Sequence, residues 1–142
     1  MPAINLWAVL LAAVANFIVG FAWFSPKTFF PVWWRAMGKE GQEPGVGSPP
    51  MGVTFGLTFL AGVAQAFGLA LVIGWALAAG HAVGWLGGLG IGALAGVLFA
   101  AATSLGHRLF AGQGFTVWLI EVGGDIAGLS VMGLIIGGWP PA

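Results

Sequence analysis

The chain has 142 residues with a mean hydropathy of +1.01; 59% of them are hydrophobic and only 6% are charged. Its net charge is zero, so no basic surface invites nucleic acid. It has no cysteine, which excludes disulfides, thiolate metal sites, iron–sulfur clusters and cysteine nucleophiles, and two histidines do not make a conventional zinc site. A chain this apolar needs lipid as its solvent, because soluble domains carry about 25% charged residues.

Four segments reach the roughly 20 apolar residues needed to cross a bilayer. They run from 3 to 24, 51 to 79, 83 to 106 and 115 to 138. Backbone polar groups in lipid must be satisfied within the segment, so each is read as a helix. The expected fold is an all-α integral membrane bundle of four transmembrane helices, a single domain over residues 1–142. The first segment lacks the basic leader of a signal peptide and reads as a retained helix. Ser25-Pro26 stops it.

Between the first two spans, Phe30, Trp33, Trp34 and Met37 fall at i, i+3, i+4 and i+7, with Arg35 and Lys39 on another face. This predicts a short amphipathic helix over 30–38, lying in the membrane interface. Pro31 opens it and Gly38 closes it. The Gly/Pro-rich stretch 41–50 reads as a flexible loop. Turns at Ala79-Gly80-His81 and Ala111-Gly112-Gln113-Gly114 separate the remaining spans.

All four basic side chains, Lys27, Arg35, Lys39 and Arg108, fall on one side of the predicted bundle. The positive-inside rule makes that side cytoplasmic. Loops 25–50 and 107–114 are then inside and both termini outside. The expected location is the bacterial inner membrane.

Lipid gives apolar helices no hydrophobic reason to associate, so small residues must let the backbones approach. Gly84, Gly88, Gly92 and Gly96 recur at i+4 in the third span, and Gly124 and Gly128 do so in the fourth. Gly62, Ala66, Ala70 and Gly74 form a matching ridge in the second, as do Ala8, Ala12, Asn16 and Gly20 in the first. Small ridges on every helix exceed the need of one bundle, which predicts contact with other membrane subunits or with further copies. The Gly-x-Gly strings lie inside apolar runs and are not read as dinucleotide fingerprints.

The candidate site is a set of polar residues inside the bilayer. Glu121 lies about 9 Å and Asp125 about 15 Å along the fourth span at 1.5 Å per residue. Depth matching places Glu121 with Arg108 or His107, and Asp125 with Asn16 and Gln65. Intramembrane ionisable residues are costly and mark functional sites by default. Here a proton or cation relay and a hydrogen-bonded structural clamp fit equally well, and the acids are also suited to pairing with a basic residue of another subunit. Gln65-x-x-Gly68-Leu69 and Asp125-x-x-Gly128-Leu129 hint at a doubled helical hairpin. No cofactor is predicted. His81 and His107 read as interfacial polar residues rather than as heme or pigment ligands, and the tryptophans near helix ends read as an aromatic belt.

Asn5-Leu6-Trp7-Ala8-Val9, Gly20-Phe21-Ala22-Trp23-Phe24-Ser25-Pro26, Phe29-Phe30 and Trp33-Trp34 together resemble a bacterial family of four-helix membrane proteins of unknown function. Gly133-x-x-x-Gly137-x-Trp139 is also similar. Phe24 stands where that family usually has Tyr. The resemblance implies the fold and no activity, catalytic residue or cofactor. The function expected from these observations is a non-enzymatic accessory or structural subunit, packed through Gly/Ala-rich faces against a larger membrane complex, one suited to an energy-transducing assembly. The alternative is a small oligomeric proton- or cation-conducting protein using Asp125 and Glu121.

Overall fold

The computed structural model describes residues 1–142 as five helices with no strand. Four are long and apolar enough to cross a membrane: α1 (Leu6–Trp23), α3 (Met51–Ala78), α4 (Gly84–Phe110) and α5 (Gly114–Gly138). The short α2 (Phe30–Ala36) lies between the first two. Helix α1 starts later than the hydropathy predicts because Asn5 caps it. The Asn5 carbonyl oxygen of the side chain accepts from the Trp7 and Ala8 amides at 3.1 and 3.2 Å. At its other end, Thr28 Oγ1 sits 2.6 Å from the Trp23 carbonyl oxygen and closes the turn. Helix α4 runs a turn beyond the expected Gly106 and ends before Gly112, which takes a left-handed φ of 71°.

Successive long helices run in opposite directions, so both termini lie at one end, where Asn5 Nδ2 donates to the Trp139 carbonyl at 3.3 Å. Helix α5 is central and touches every other helix, whereas α3 and α4 make little contact with each other. The core joins Val9, Ala12 and Ala13 of α1, Ala66, Leu69, Ala70 and Ile73 of α3, and Leu129, Met132 and Ile136 of α5. Large apolar side chains such as Leu57, Leu60, Leu86, Leu98 and Leu119 are more than half exposed, as expected of surfaces that meet lipid.

The closest packing joins α4 to α5. A methyl at Gly88 would collide with the Gly133 carbonyl oxygen, and one at Gly92 with that of Leu129. A methyl at Gly96 would stand 2.8 Å from Ile126 Cα. In return, Gly133 and Gly137 lie against the Gly88 and Gly84 carbonyl oxygens. The two backbones therefore meet without side chains between them, as small-xxx-small faces allow. Gly123 and Gly124 accommodate Trp23 of α1 instead, and Gly128 faces Asn16. This corrects an inference from the sequence. The glycine ridge of α4 is occupied inside the chain and offers no free face for a partner.

Residues Gly96–Ala101 of α4 form a π turn that the hydropathy pattern does not announce. It matters for register. Gly96 and Arg108 are twelve residues apart, which in an unbroken α-helix sets them about 120° apart. A π turn takes up one residue, leaving the two about 20° apart, so the glycine ridge and Arg108 both face α5.

Gly92→Ala should destabilise the bundle by about 3 kcal/mol through overpacking against a backbone that cannot move aside. Gly90→Ala, where a methyl meets nothing within 4 Å, should be neutral or better, as measured by denaturation in detergent. Deleting exposed Leu98 should convert the π turn to plain α-helix and leave the fold intact. Deleting Ala127, in the unbroken α5, should abolish it by rotating one glycine set away from its partner.

Candidate functional site

Glu121 sits on α5 and its carboxylate is held from two sides. Arg108 Nε of α4 donates to Oε2 at 2.6 Å, and Trp33 Nε1 of α2 donates to Oε1 at 3.0 Å. Arg108 in turn reaches Gln113 Oε1 with Nη1 at 2.7 Å. The acid is 15% exposed and the guanidinium side chain 37% exposed, so the pair is shielded on the α5 side and open on the other. Of the two partners expected for Glu121, the structure supplies Arg108. His107 is exposed and its side chain does not reach Glu121, because it lies about 100° from Arg108 around α4.

Trp33 enters this cluster from a position read only as part of an aromatic interfacial face. Phe30, Trp33, Trp34 and Met37 are all half-buried. Trp34 stacks on Phe30 at 5.3 Å, donates to the Gln42 carbonyl at 3.1 Å, and lies under Lys39 Nζ at 4.9 Å. Helix α2 is thus fixed to α5 by a hydrogen bond as well as by its apolar side chains. Trp23 and Trp118 tie α5 in the same manner, through the Ile120 carbonyl at 2.8 Å and the Ala101 carbonyl at 3.2 Å. The hydrogen bonds of these three indoles are what sequence reasoning missed. Tryptophan near a helix end signals an aromatic belt equally well, so the sequence held no sign of which N–H would find an acceptor.

The second expected layer does not assemble. Asn16 is wedged between Gly62 and Gly128: a methyl at Gly62 would lie 3.3 Å from its Nδ2, and one at Gly128 would collide with its Oδ1. Asn16 thus occupies the α1–α3–α5 junction and does not hydrogen-bond Asp125. Gln65 and Asp125 are both exposed, and neither has a hydrogen-bond or ion-pair partner within the chain. Gln65 lies four residues before Leu69, and Asp125 four before Leu129; both leucines belong to the core. Because Asn16 lies against Gly62 and Gly128 alike, Gln65, three residues after Gly62, and Asp125, three before Gly128, stand about 9 Å apart along the bundle.

Asp125 continues the α5 stripe of Leu129, Met132 and Ile136 toward the basic end. Over that continuation, α3 gives no cover, since none of its residues before Gly62 is buried. The first half of α3 leans on α1 instead, through Phe55 and Phe59 against Phe17 at 6.2 and 5.6 Å. Asp125 thus opens sideways, between α3 and α4. The hydroxyls of Ser104, Ser130, Thr58 and Thr28 each lie within hydrogen-bond reach of a backbone carbonyl. His81 is exposed in the turn between α3 and α4.

Residues 7–137 match the model of a family described as a protein of unknown function, DUF1761, and the chain belongs to that family. No curated protein and no solved structure matches the chain.

Replacing Arg108 with Leu should cost about 2 kcal/mol of stability, less than for a fully buried pair because Arg108 is partly exposed. Adding Glu121→Gln should recover part of that loss, because the stranded charge is then removed. A two-by-two series of unfolding measurements gives the coupling directly.

Proposed function

We propose that this protein is a non-enzymatic subunit of the membrane, and that it docks another membrane polypeptide through the mid-span face around Asp125. The observation that carries this reading is the contrast between the two acids. Glu121 has its counter-ion and a second donor inside the chain. Asp125, one helical turn deeper, has neither and faces outward. A polar group left against hydrocarbon is costly, so such residues find a partner on a neighbouring helix or in a water-filled cavity. The contact face differs from the glycine ridges expected from the sequence, because those are consumed between α4 and α5. By the positive-inside rule we place the Lys27–Lys39 segment and Arg108 on the cytoplasmic side of a bacterial inner membrane.

A second reading is favoured by the same carboxylate. Asp125 lies one turn from the Arg108–Glu121 pair on an open face, a spacing over which a proton or cation can pass between acids. In that case Asp125→Asn abolishes flux into liposomes while the protein stays folded.

The docking reading makes a different prediction. Asp125→Ala should leave thermal stability within about 0.5 kcal/mol of the original, since the side chain touches no partner inside the chain. It should also remove any polypeptide that co-purifies stoichiometrically from native membranes in mild detergent, as counted by mass spectrometry. A co-purifying set unchanged by the substitution would overturn the role assigned to Asp125.

A further inference from the structure

Gln65 stands at the middle of α3 and faces outward, and its side chain has no hydrogen-bond partner within the chain. An amide left against hydrocarbon is costly, and amide side chains in bilayers bond across helices. The surface around it has a pattern. Thr58, Ala61, Gln65, Gly68, Val72 and Trp75 are all exposed, and they follow one another at steps of three, four, three, four and three. That is the heptad spacing of a left-handed helix pair. None of the six is among the residues that α3 buries in its own bundle, such as Gly62, Leu69 and Ile73. Helix α3 thus presents a second packing seam to the outside. Thr58 spends its hydroxyl on the Thr54 carbonyl at 2.8 Å, which leaves Gln65 as the polar group of the seam with bonds to offer.

We infer that this seam pairs α3 of two copies of the chain, side by side in one orientation, with the two Gln65 amides bonded to each other. Two properties select a second copy over an unrelated helix. The first is level. A twofold axis along the membrane normal brings residue 65 of one copy to the depth of residue 65 of the other, whatever the tilt of the helices. Lys27, Arg35, Lys39 and Arg108 stand at one end of the bundle, so all copies insert the same way round. An unrelated helix needs its own donor and acceptor at that one depth. The second property is chemistry. A carboxamide carries two N–H donors and a carbonyl acceptor, so each Gln65 gives one bond and takes one. The pair closes with two reciprocal bonds, which is the self-complementarity an isologous interface requires.

The neighbours of Gln65 in the seam allow the approach. Ala61 and Gly68 flank it at i−4 and i+3, and a methyl at Gly68 would meet nothing within 4 Å. Small residues at both levels let the backbones come close enough for the amides to meet. One polar residue at such a position also fixes the register of the pair and the number of helices in it. The inference goes beyond the docking role of Asp125 and does not rest on it, since Asp125 belongs to α5 and every residue of the seam to α3.

The chain has no cysteine, so Ser48→Cys introduces a single site for a fluorophore in the exposed loop before α3. The labelled protein is reconstituted alone into liposomes at falling protein-to-lipid ratios, and bleaching steps are counted per particle. The expected result is two steps for the starting protein. Gln65→Leu should weaken the dimer about tenfold, because two interhelical hydrogen bonds are lost. Gly68→Leu should leave single steps, since its side chain points out of the bundle and holds the two helices apart. Asp125→Ala should keep both steps. Contact is then mapped with unlabelled single-cysteine variants under a mild oxidant. A disulfide needs Cα atoms within about 7 Å, so Ala61→Cys should cross-link. Leu60→Cys should not, although Leu60 is 63% exposed on the same helix, because it faces away from the seam.

Single steps for the starting protein at every density would overturn the pairing. So would a dimer indifferent to Gln65→Leu or to Gly68→Leu, or a cross-link through Leu60→Cys in place of Ala61→Cys. Loss of the dimer in Asp125→Ala would move the contact from α3 to α5. A monomer in these liposomes leaves the Asp125 docking role intact, because that role is read from what co-purifies out of native membranes.

Discussion

The backbones of Gly88 and Gly133 meet with no side chain between them, and the rest of the bundle is arranged around that contact. In lipid there is no hydrophobic gain in bringing two apolar helices together. What holds them is dispersion between atoms at close range, and that grows with how near the axes can come. Glycine at 88, 92 and 96 on α4 and at 133 and 137 on α5 removes every obstacle along one line. Once that line is set, the rotation of each helix about its own axis is no longer free. The other faces of α5 then point where they must: Gly123 and Gly124 to Trp23, Gly128 to Asn16, and Glu121 to the basic end.

The π turn of α4 belongs to the same constraint. The glycine line and Arg108 lie in different parts of one helix, and ordinary α-helical phase would set them on different faces. Widening the helix by one residue between them allows both to be used against α5. Its neighbourhood is also hydrogen-bonded, since the Ala101 carbonyl accepts from the Trp118 indole at 3.2 Å. A feature that looks like a local irregularity thus joins the apolar half of the α4–α5 contact to its ionic half.

The polar residues divide by whether the chain satisfies them. Glu121, Arg108, Gln113 and Trp33 form a closed set at the basic end, drawing on α2, α4, α5 and the turn before α5. Asn16 is enclosed by two glycines. Gln65 and Asp125 remain outside, at a depth where water is scarce. A small protein with few polar residues has chosen to leave two of them facing its surroundings, and that choice, more than any cavity, directs attention to neighbouring molecules in the membrane.

How much of this was legible beforehand depends on the range of the interaction. Four spans, an interfacial segment after Pro31 and small-residue ridges could be read directly, because each rests on local composition or on a helical period. The pairing of Glu121 with a base at the same end followed from depth alone. Depth could not place Asn16 and Gln65, however, since residues at one level still differ in azimuth, and azimuth is set by which helix lies beside which. Nor could it show that the glycine ridge of α4 would be spent on α5, or that Trp33 would leave its aromatic face to hydrogen-bond Glu121. The four apolar spans, and the end of the bundle that carries the basic residues, were legible in the sequence itself, since they depend on the chain meeting lipid. The partners of the polar groups, and the lack of one for Gln65 and Asp125, were decided only when α5 took the centre and turned each helix to fit it.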